Sequence, residues 1–289
     1  MTDLRCLTTR EVARLCRVSD ATVKRWEEAG LIKSERTNGG HRRFRADEIA
    51  RFQRDQVLGL KQSHGDESIY ISQTRRRRSS EPVSLFQSLV AGSEEEAANF
   101  ILKALINGTD LVKIFDDMIS PAMRQVGEMW LRGELSVAQE HLATRAAHSA
   151  VNKLRAAAPV PRITGELAFC AALEGDYHEL PTHLAQITIE SRGWEVMNFG
   201  ANTPLFSLGE EVIYHSPEAI CISVSFLGDL DRLSRDYKLF REQVAKLGIP
   251  VIIGGRIFEN DDIRRRFPAE CYASSFNEVA DFVTEIAAR

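Results

Sequence analysis

The sequence predicts a multidomain α plus α/β protein: a small helix-turn-helix with a basic hairpin, then a helical bundle, then a doubly wound parallel sheet. Residues 7–56 read as short helices punctuated by turns, and between 83 and 157 apolar residues recur at the 3.6 spacing of helices. Beyond the APVPR stretch at 158–162, four short apolar runs each precede a segment of helical character. With 289 residues, 44% of them hydrophobic, the chain has apolar material for two or three cores.

The front end comes first. In LTTREVARLCRVSDATVKRWEEAGLI, Thr8 or Thr9 caps one short helix with Val12, Ala13 and Leu15 turned inward, and Ser19 caps a second with Val23 and Trp26 inward. The turn between them is tight, so Asp20, Thr22, Lys24 and Arg25 at the start of the second helix face outward, as a major-groove reader requires. In KSERTNGGHRRFRADEIARF, Asn38-Gly39-Gly40 makes a hairpin tip, and the returning strand carries His41, Arg42, Arg43 and Arg45. Such a hairpin straddles a phosphate backbone and gives salt-sensitive affinity. Charge agrees. Residues 1–78 hold 18 Lys and Arg against 11 Asp and Glu, and the remainder holds 19 against 30, so only the front end suits a polyanion.

This stretch resembles the MerR-type winged helix-turn-helix, whose wing reads Gly-Tyr-Arg-x-Tyr; here it reads Gly40-His41-Arg42-Arg43-Phe44. The resemblance covers about 7–56 and implies double-stranded DNA as the partner. A helical domain with a solvated basic face, or an excisionase-like architectural module, is the alternative. One recognition helix contacts only a few base pairs, so a homo-oligomer, dimer or tetramer, is expected. Residues 57–82 lack sustained heptads, which leaves assembly to the C-terminal domains.

The expected boundaries are 1–56 for the DNA-binding domain, 57–82 for a polar, Ser- and Arg-rich linker containing Arg75–Arg78, 83–157 for a four-helix bundle and 163–289 for the α/β domain. In the bundle, Ser93 caps a Glu run, and Gly108 and Pro121 are breaks. Trp130 precedes the pair Glu140-His141, whose helix starts near Ser136. In the α/β domain the strands are LAFCAAL (167–173), WEVMNFG (194–200), AICISVSF (219–226) and IPVIIGG (249–255). Continuous apolar strands alternating with helices make a parallel Rossmann-like, flavodoxin-like sheet. His178 follows the first strand, where such sheets bind ligands, and Asp176 can hold one ring nitrogen while the other meets a metal.

The bundle string resembles the helical cap of cobalamin-binding modules in methionine synthase and in MerR-type light-sensing regulators, and Asp176-x-His178 resembles the Asp-x-His-x-x-Gly motif of the cobalamin-binding fold. The resemblance implies adenosylcobalamin as cofactor, with Trp130, Glu140 and His141 over its upper face and His178 as the lower cobalt ligand. It also implies that Ser223, Ser225, Gly254 and Gly255 lie beside the nucleotide tail. Three positions depart from the pattern: Pro181 replaces the motif glycine, Ser225 replaces a leucine, and Leu131 follows the motif Trp where light-sensing regulators commonly place a His.

These features point to a transcription regulator, a repressor sensing adenosylcobalamin and light through its oligomeric state. The alternative is a cobalamin-independent regulator whose degenerate C-terminal module docks a protein antirepressor or another ligand. A methyltransferase or mutase is disfavoured, because a basic winged module would be unexplained. The charged N-terminus and the lack of a long apolar run predict a chain neither exported nor membrane-bound. Five scattered cysteines without a CxxC pair fit a reducing cytoplasm and no structural zinc.

Overall fold

A computed structural model describes residues 6–16, 19–37, 39–45, 48–49, 51–52 and 84–288. The linker expected at 57–82, with Arg75–Arg78, lies outside the described residues, as do Asn38 at the hairpin tip and the side chain of Leu15. The chain divides into two compact units. The first holds the described residues of Met1–Pro82 with Val126–His141, and the second those of Val83–Gln125 and Leu142–Arg289. Among the described residues no helix is long and apolar enough to cross a membrane.

The first unit opens with β1 (Cys6–Thr8), α1 (Thr9–Leu15) and α2 (Asp20–Glu28), followed by β2 (Glu35–Arg36) and β3 (Arg42–Arg45). Helix α1 starts in a reciprocal cap: Glu11 N donates to Thr8 Oγ1 at 3.2 Å, and Thr8 N donates to the Glu11 carboxylate at 2.7 Å. Ser19 caps α2, accepting from Thr22 N at 3.2 Å. Val12, Val23, Ile32 and Phe44 are buried in a small core, and Trp26 lies 4.6 Å from the Phe52 ring. Strand β2 pairs antiparallel with β3, and Gly40, at φ +76°, makes the left-handed step into β3. Strand β1 is not foreseen from sequence; it pairs with the other edge of β3, setting Leu7 opposite Phe44. Three residues are too few to show a period of two.

The second unit begins with α3 (Leu85–Val90) and α4 (Glu94–Ile106). Ser93 starts α4 without a side-chain cap bond, and Glu94, Glu95 and Glu96 in the first turn complement the positive end of the helix instead. The break expected at Pro121 does not occur. Helix α5 (Leu111–Ile114) runs through a π-turn (Phe115–Ile119) directly into α6 (Ser120–Leu131). Ser120 N–H bonds back five residues to the Phe115 carbonyl. A turn widened in this way absorbs the clash between a proline ring and the carbonyl four residues earlier, so the helix continues. After α7 (Val137–Ala157), whose inward face is Ala143, Ala147, Ala150 and Leu154, the chain enters the sheet.

The five strands are β4 (Leu167–Ala172), β5 (Glu195–Asn198), β6 (Ala219–Ser223), β7 (Val251–Gly254) and β8 (Cys271–Ala273), all parallel in the order β5-β4-β6-β7-β8. Helices α8 (Glu179–Glu190) and α12 (Phe276–Ala287) lie on one face, burying Ala185, Ile189, Val279 and Val283 against Cys170, Cys221 and Ile252. Helices α9 (Leu205–His215) and α10 (Leu230–Lys246) lie on the other, against Phe169, Ile220, Ile222 and Ile253. The short helix α11 (Asp261–Arg266) precedes β8. Four strands match the apolar runs; β8 escapes notice because its three residues are only half-buried.

Within this unit the bundle docks on α8 and α12. Asp116, in the π-turn, accepts from the N–H groups of Phe276 at 2.8 Å and Asn277 at 3.0 Å, so it caps α12 from another element. His148 of α7 stacks on His183 of α8 with ring centres 5.8 Å apart. Burial lowers both imidazoles below 6.5, while Glu179 opposes the shift in each. The folded state therefore favours the neutral rings, and their contribution is complete above about 6.5 and lost as pH falls through the lowered folded values. We expect the melting temperature to drop between pH 7 and pH 5, and a His148→Gln, His183→Gln variant to flatten that slope.

Candidate functional site

On α2, Asp20, Lys24 and Arg25 are exposed, and Thr22 is half-buried with its hydroxyl 2.9 Å from that of Ser19. In the hairpin, His41 is exposed and Arg43 half-buried. Arg42 departs from the expected outward, phosphate-facing position. Its Nε donates to Glu27 at 2.6 Å, and the side chain is only 21% exposed. Glu27, near the end of α2, also accepts from Ser34 Oγ at 2.7 Å. Hydrogen bonds from Ser34 and then Arg42 hold its carboxyl below the usual range. One carboxylate thus ties β3 and the loop before β2 to α2. A spacing of fifteen residues between Glu27 and Arg42 carries no sequence signal.

In the second unit, a side-chain cluster forms at the carboxyl ends of β4, β6 and β7, where open α/β sheets place their ligands. Asp176 is fully buried. Its Oδ1 accepts from His178 N at 3.0 Å and lies 2.7 Å from His178 Nδ1, and its Oδ2 accepts from Ser225 N at 2.5 Å. Its carbonyl accepts from Asn202 N at 2.8 Å. One residue therefore joins the loops after β4, β5 and β6. A ring that donates Nδ1–H to this carboxylate carries its lone pair on Nε2, the tautomer that ligates a metal. The His178 side chain is 59% exposed. Among the described residues no group of three or more His, Cys, Asp or Glu is placed to hold a bare metal ion.

Pro181 is the third residue of α8, within the first helical turn, where no N–H is needed and a proline φ is helical. The substitution costs the helix nothing. Ser223 Oγ is buried with no hydrogen-bond partner, whereas Ser225 is exposed and contributes its backbone N–H to Asp176. Gly255 adopts φ +138°, and a Cβ there would fall on the Val224 carbonyl oxygen. Gly254, beside it, would set a Cβ 3.4 Å from the Ala273 carbonyl. In the first unit, Trp130 Nε1 is buried without a partner, and Glu140 lies 3.7 Å from an exposed His141. Leu131 is half exposed.

Residues 8–44 match the MerR family of regulatory proteins, and residues 84–155 match the B12 binding domain family. The chain carries a MerR domain and a B12 binding domain. Over 281 residues it is 25% identical to the HTH-type transcriptional repressor CarH of Myxococcus xanthus, spanning 84% of this chain and 86% of that protein. Dimethylamine corrinoid protein 2 of Methanosarcina mazei is 24% identical over 176 residues, 60% of this chain and 82% of that one. The structure of the Methanosarcina barkeri monomethylamine corrinoid protein superposes with a TM-score of 0.59 at 20% identity, covering 70% of this chain and 96% of that chain; the fold is shared.

The residues present fit a cobalamin. An orphaned buried hydroxyl on Ser223 and an imidazole presented by a buried carboxylate, both at the strand ends, are groups that a metal-centred ring with a polar tail would use. Sequence reasoning missed Glu27, Ser34, Asn202 and Asp116, all of which act through contacts far along the chain.

Proposed function

We propose that this chain is a transcriptional repressor that reads operator DNA through α2 and the β2–β3 wing and is controlled by adenosylcobalamin held in its C-terminal half. The observation that carries the cofactor assignment is the Asp176–His178 pair: Nδ1 is fixed at 2.7 Å by a buried carboxylate that also accepts from the loop after β6, and the ring is more than half exposed. His178 is assigned as the cobalt ligand, Ser223, Ser225, Gly254 and Gly255 as the neighbours of the nucleotide tail, and Trp130, Glu140 and His141 as the residues recognising the adenosyl group. When bound, the cofactor supplies a light-cleavable cobalt–carbon bond. Ligand binding favours one assembly state of the C-terminal halves, which sets how many MerR domains are linked and hence the avidity for an operator. Leu131 means that no second imidazole is available from that position after illumination.

The test is direct. Protein purified in the dark with adenosylcobalamin should show a corrin spectrum that changes on illumination, together with a change in oligomer mass and operator affinity. A corrin spectrum with unchanged mass defeats the switch, and no corrin binding defeats the sensor and favours a module that docks an antirepressor.

For the DNA end, Lys24, Arg25, His41 and Arg43 are assigned to DNA contact, with Thr22 ordering the start of α2. Arg43→Ala is expected to weaken binding to all sequences by about 1 kcal/mol and to reduce the salt slope by roughly one unit. Arg42→Ala should instead weaken operator and random DNA unequally, because it releases the wing from α2. Equal losses with a reduced slope would return Arg42 to phosphate contact.

A further inference from the structure

The loop between β5 and α9 holds Asn202 at φ +55°, in the left-handed region that disfavours most side-chain-bearing residues. Asparagine tolerates it because its short amide bonds locally. In this conformation Asn202 grips the loop after β4 at two points. Its Oδ1 accepts from Gly175 N at 2.8 Å, and its own N–H donates to the Asp176 carbonyl at 2.8 Å. The two bonds bracket Gly175 and Asp176, from the nitrogen of the first residue to the carbonyl of the second. Neighbouring backbone pairs seat the β5 loop on the end of β4: Ala172 N donates to the Gly200 carbonyl at 2.8 Å, and Thr203 N to the Ala172 carbonyl at 2.9 Å. A glycine would reach φ +55° freely but has no oxygen for Gly175 N, whereas aspartate offers the same acceptor as asparagine.

What this grip controls is the aim of His178. Asp176 Oδ1 lies 2.7 Å from His178 Nδ1 and accepts from His178 N at 3.0 Å, so the imidazole follows the placement of Asp176. The ring is 59% exposed, and packing therefore does little to direct it. Asp176 is held from two sides: its backbone by Asn202, from the loop after β5, and its carboxylate by Ser225 N, from the loop after β6. A metal ligand needs its outer supports fixed in this way, because a small error in the carboxylate becomes an error in the direction of the ring nitrogen. We infer that Asn202 is a positioning residue for His178, acting through Gly175 and Asp176 rather than by touching the ligand. The inference rests on the proposed cobalt ligation by His178 and adds the residue that sets its direction.

The test uses the full chain, titrated with adenosylcobalamin in the dark and followed by absorbance. Asn202→Gly removes the side-chain bond while relieving the backbone, so its melting curve should stay close to that of the wild type. Its affinity should nevertheless fall roughly tenfold, with the bound corrin bands moved toward those of His178→Ala. Asn202→Asp should bind as the wild type does. In a His178→Ala background, Asn202→Gly should have no further effect; an undiminished loss there would mean that Asn202 acts independently of the imidazole, and would overturn the inference. Nitrogen NMR of the ligand-free protein, at a pH where imidazoles are neutral, reads the same contact without the cofactor. His178 should keep its proton on Nδ1 in the wild type and in Asn202→Asp, and populate both tautomers in Asn202→Gly. A wild-type ring that is already mixed, or an Asn202→Gly ring unchanged from a single tautomer, overturns the positioning role. Failure of the wild type to bind the corrin overturns the cofactor reading instead, and the NMR comparison still decides the role of Asn202.

Discussion

On the proposed assignment, His178→Ala should weaken adenosylcobalamin binding by roughly 100-fold and shift the absorption bands of whatever still binds, since the imidazole that would hold the cobalt is removed. The Asp176 variant separates ligation from positioning. Asp176→Asn retains a side chain of the same shape but cannot accept Nδ1–H with a full charge, and outer-shell partners of this kind contribute roughly 10- to 100-fold to metal affinity. Asp176 also accepts from Ser225 N, so its replacement should lower the melting temperature, whereas His178→Ala should leave stability nearly unchanged. Equal affinity of wild type and His178→Ala in an equilibrium titration monitored by absorbance would remove the imidazole from the site.

Gly255→Ala is the variant expected to do most harm to the fold. At φ +138° an L-residue is strained whatever its surroundings, and here the new methyl also meets the Val224 carbonyl, whose strand is held in place by Val224 N donating to the Gly254 carbonyl at 2.8 Å. Strain and overpacking together should cost about 3 kcal/mol, visible as a lower midpoint in urea. The β6–β7 ends must separate to relieve the clash, so cobalamin affinity should fall with it. Gly254→Ala, with φ in the ordinary range and 3.4 Å to the nearest backbone atom, should be far milder. A mild Gly255→Ala would show that the β6–β7 ends yield easily.

The continuous apolar runs of the buried strands made four of five strands legible, because a strand covered on both faces has no polar positions to blur it. The Asp176–His178 pair was legible for another reason: two residues on one short loop can bond only locally, so their spacing is their geometry. Departures from the motif were harder to weigh. Pro181 reads as an obstacle in sequence, yet in the first turn of α8 it is an ordinary helix-start residue. Ser223 and Ser225 look equivalent by type, and only burial separates the orphaned hydroxyl from the residue that lends its N–H. Arg42 shows the opposite failing: a basic residue on a wing suggests a phosphate, and nothing local discloses that Glu27 claims it.

The π-turn at Phe115–Ile119 has a consequence for angular phase. An α-helix advances about 100° per residue, so the one extra residue that the widened turn accommodates sets the rotational setting of everything after it on the same axis. Val126, buried at 1% exposure, and Trp130, with its indole nitrogen enclosed, both lie downstream. Rewinding Phe115–Ile119 as regular α-helix with every residue kept would swing both side chains through more than a quarter turn, whereas a single-residue deletion that healed the helix would leave their direction nearly unchanged. That small irregularity works as an indexing notch, deciding which way the indole points long before the chain reaches it.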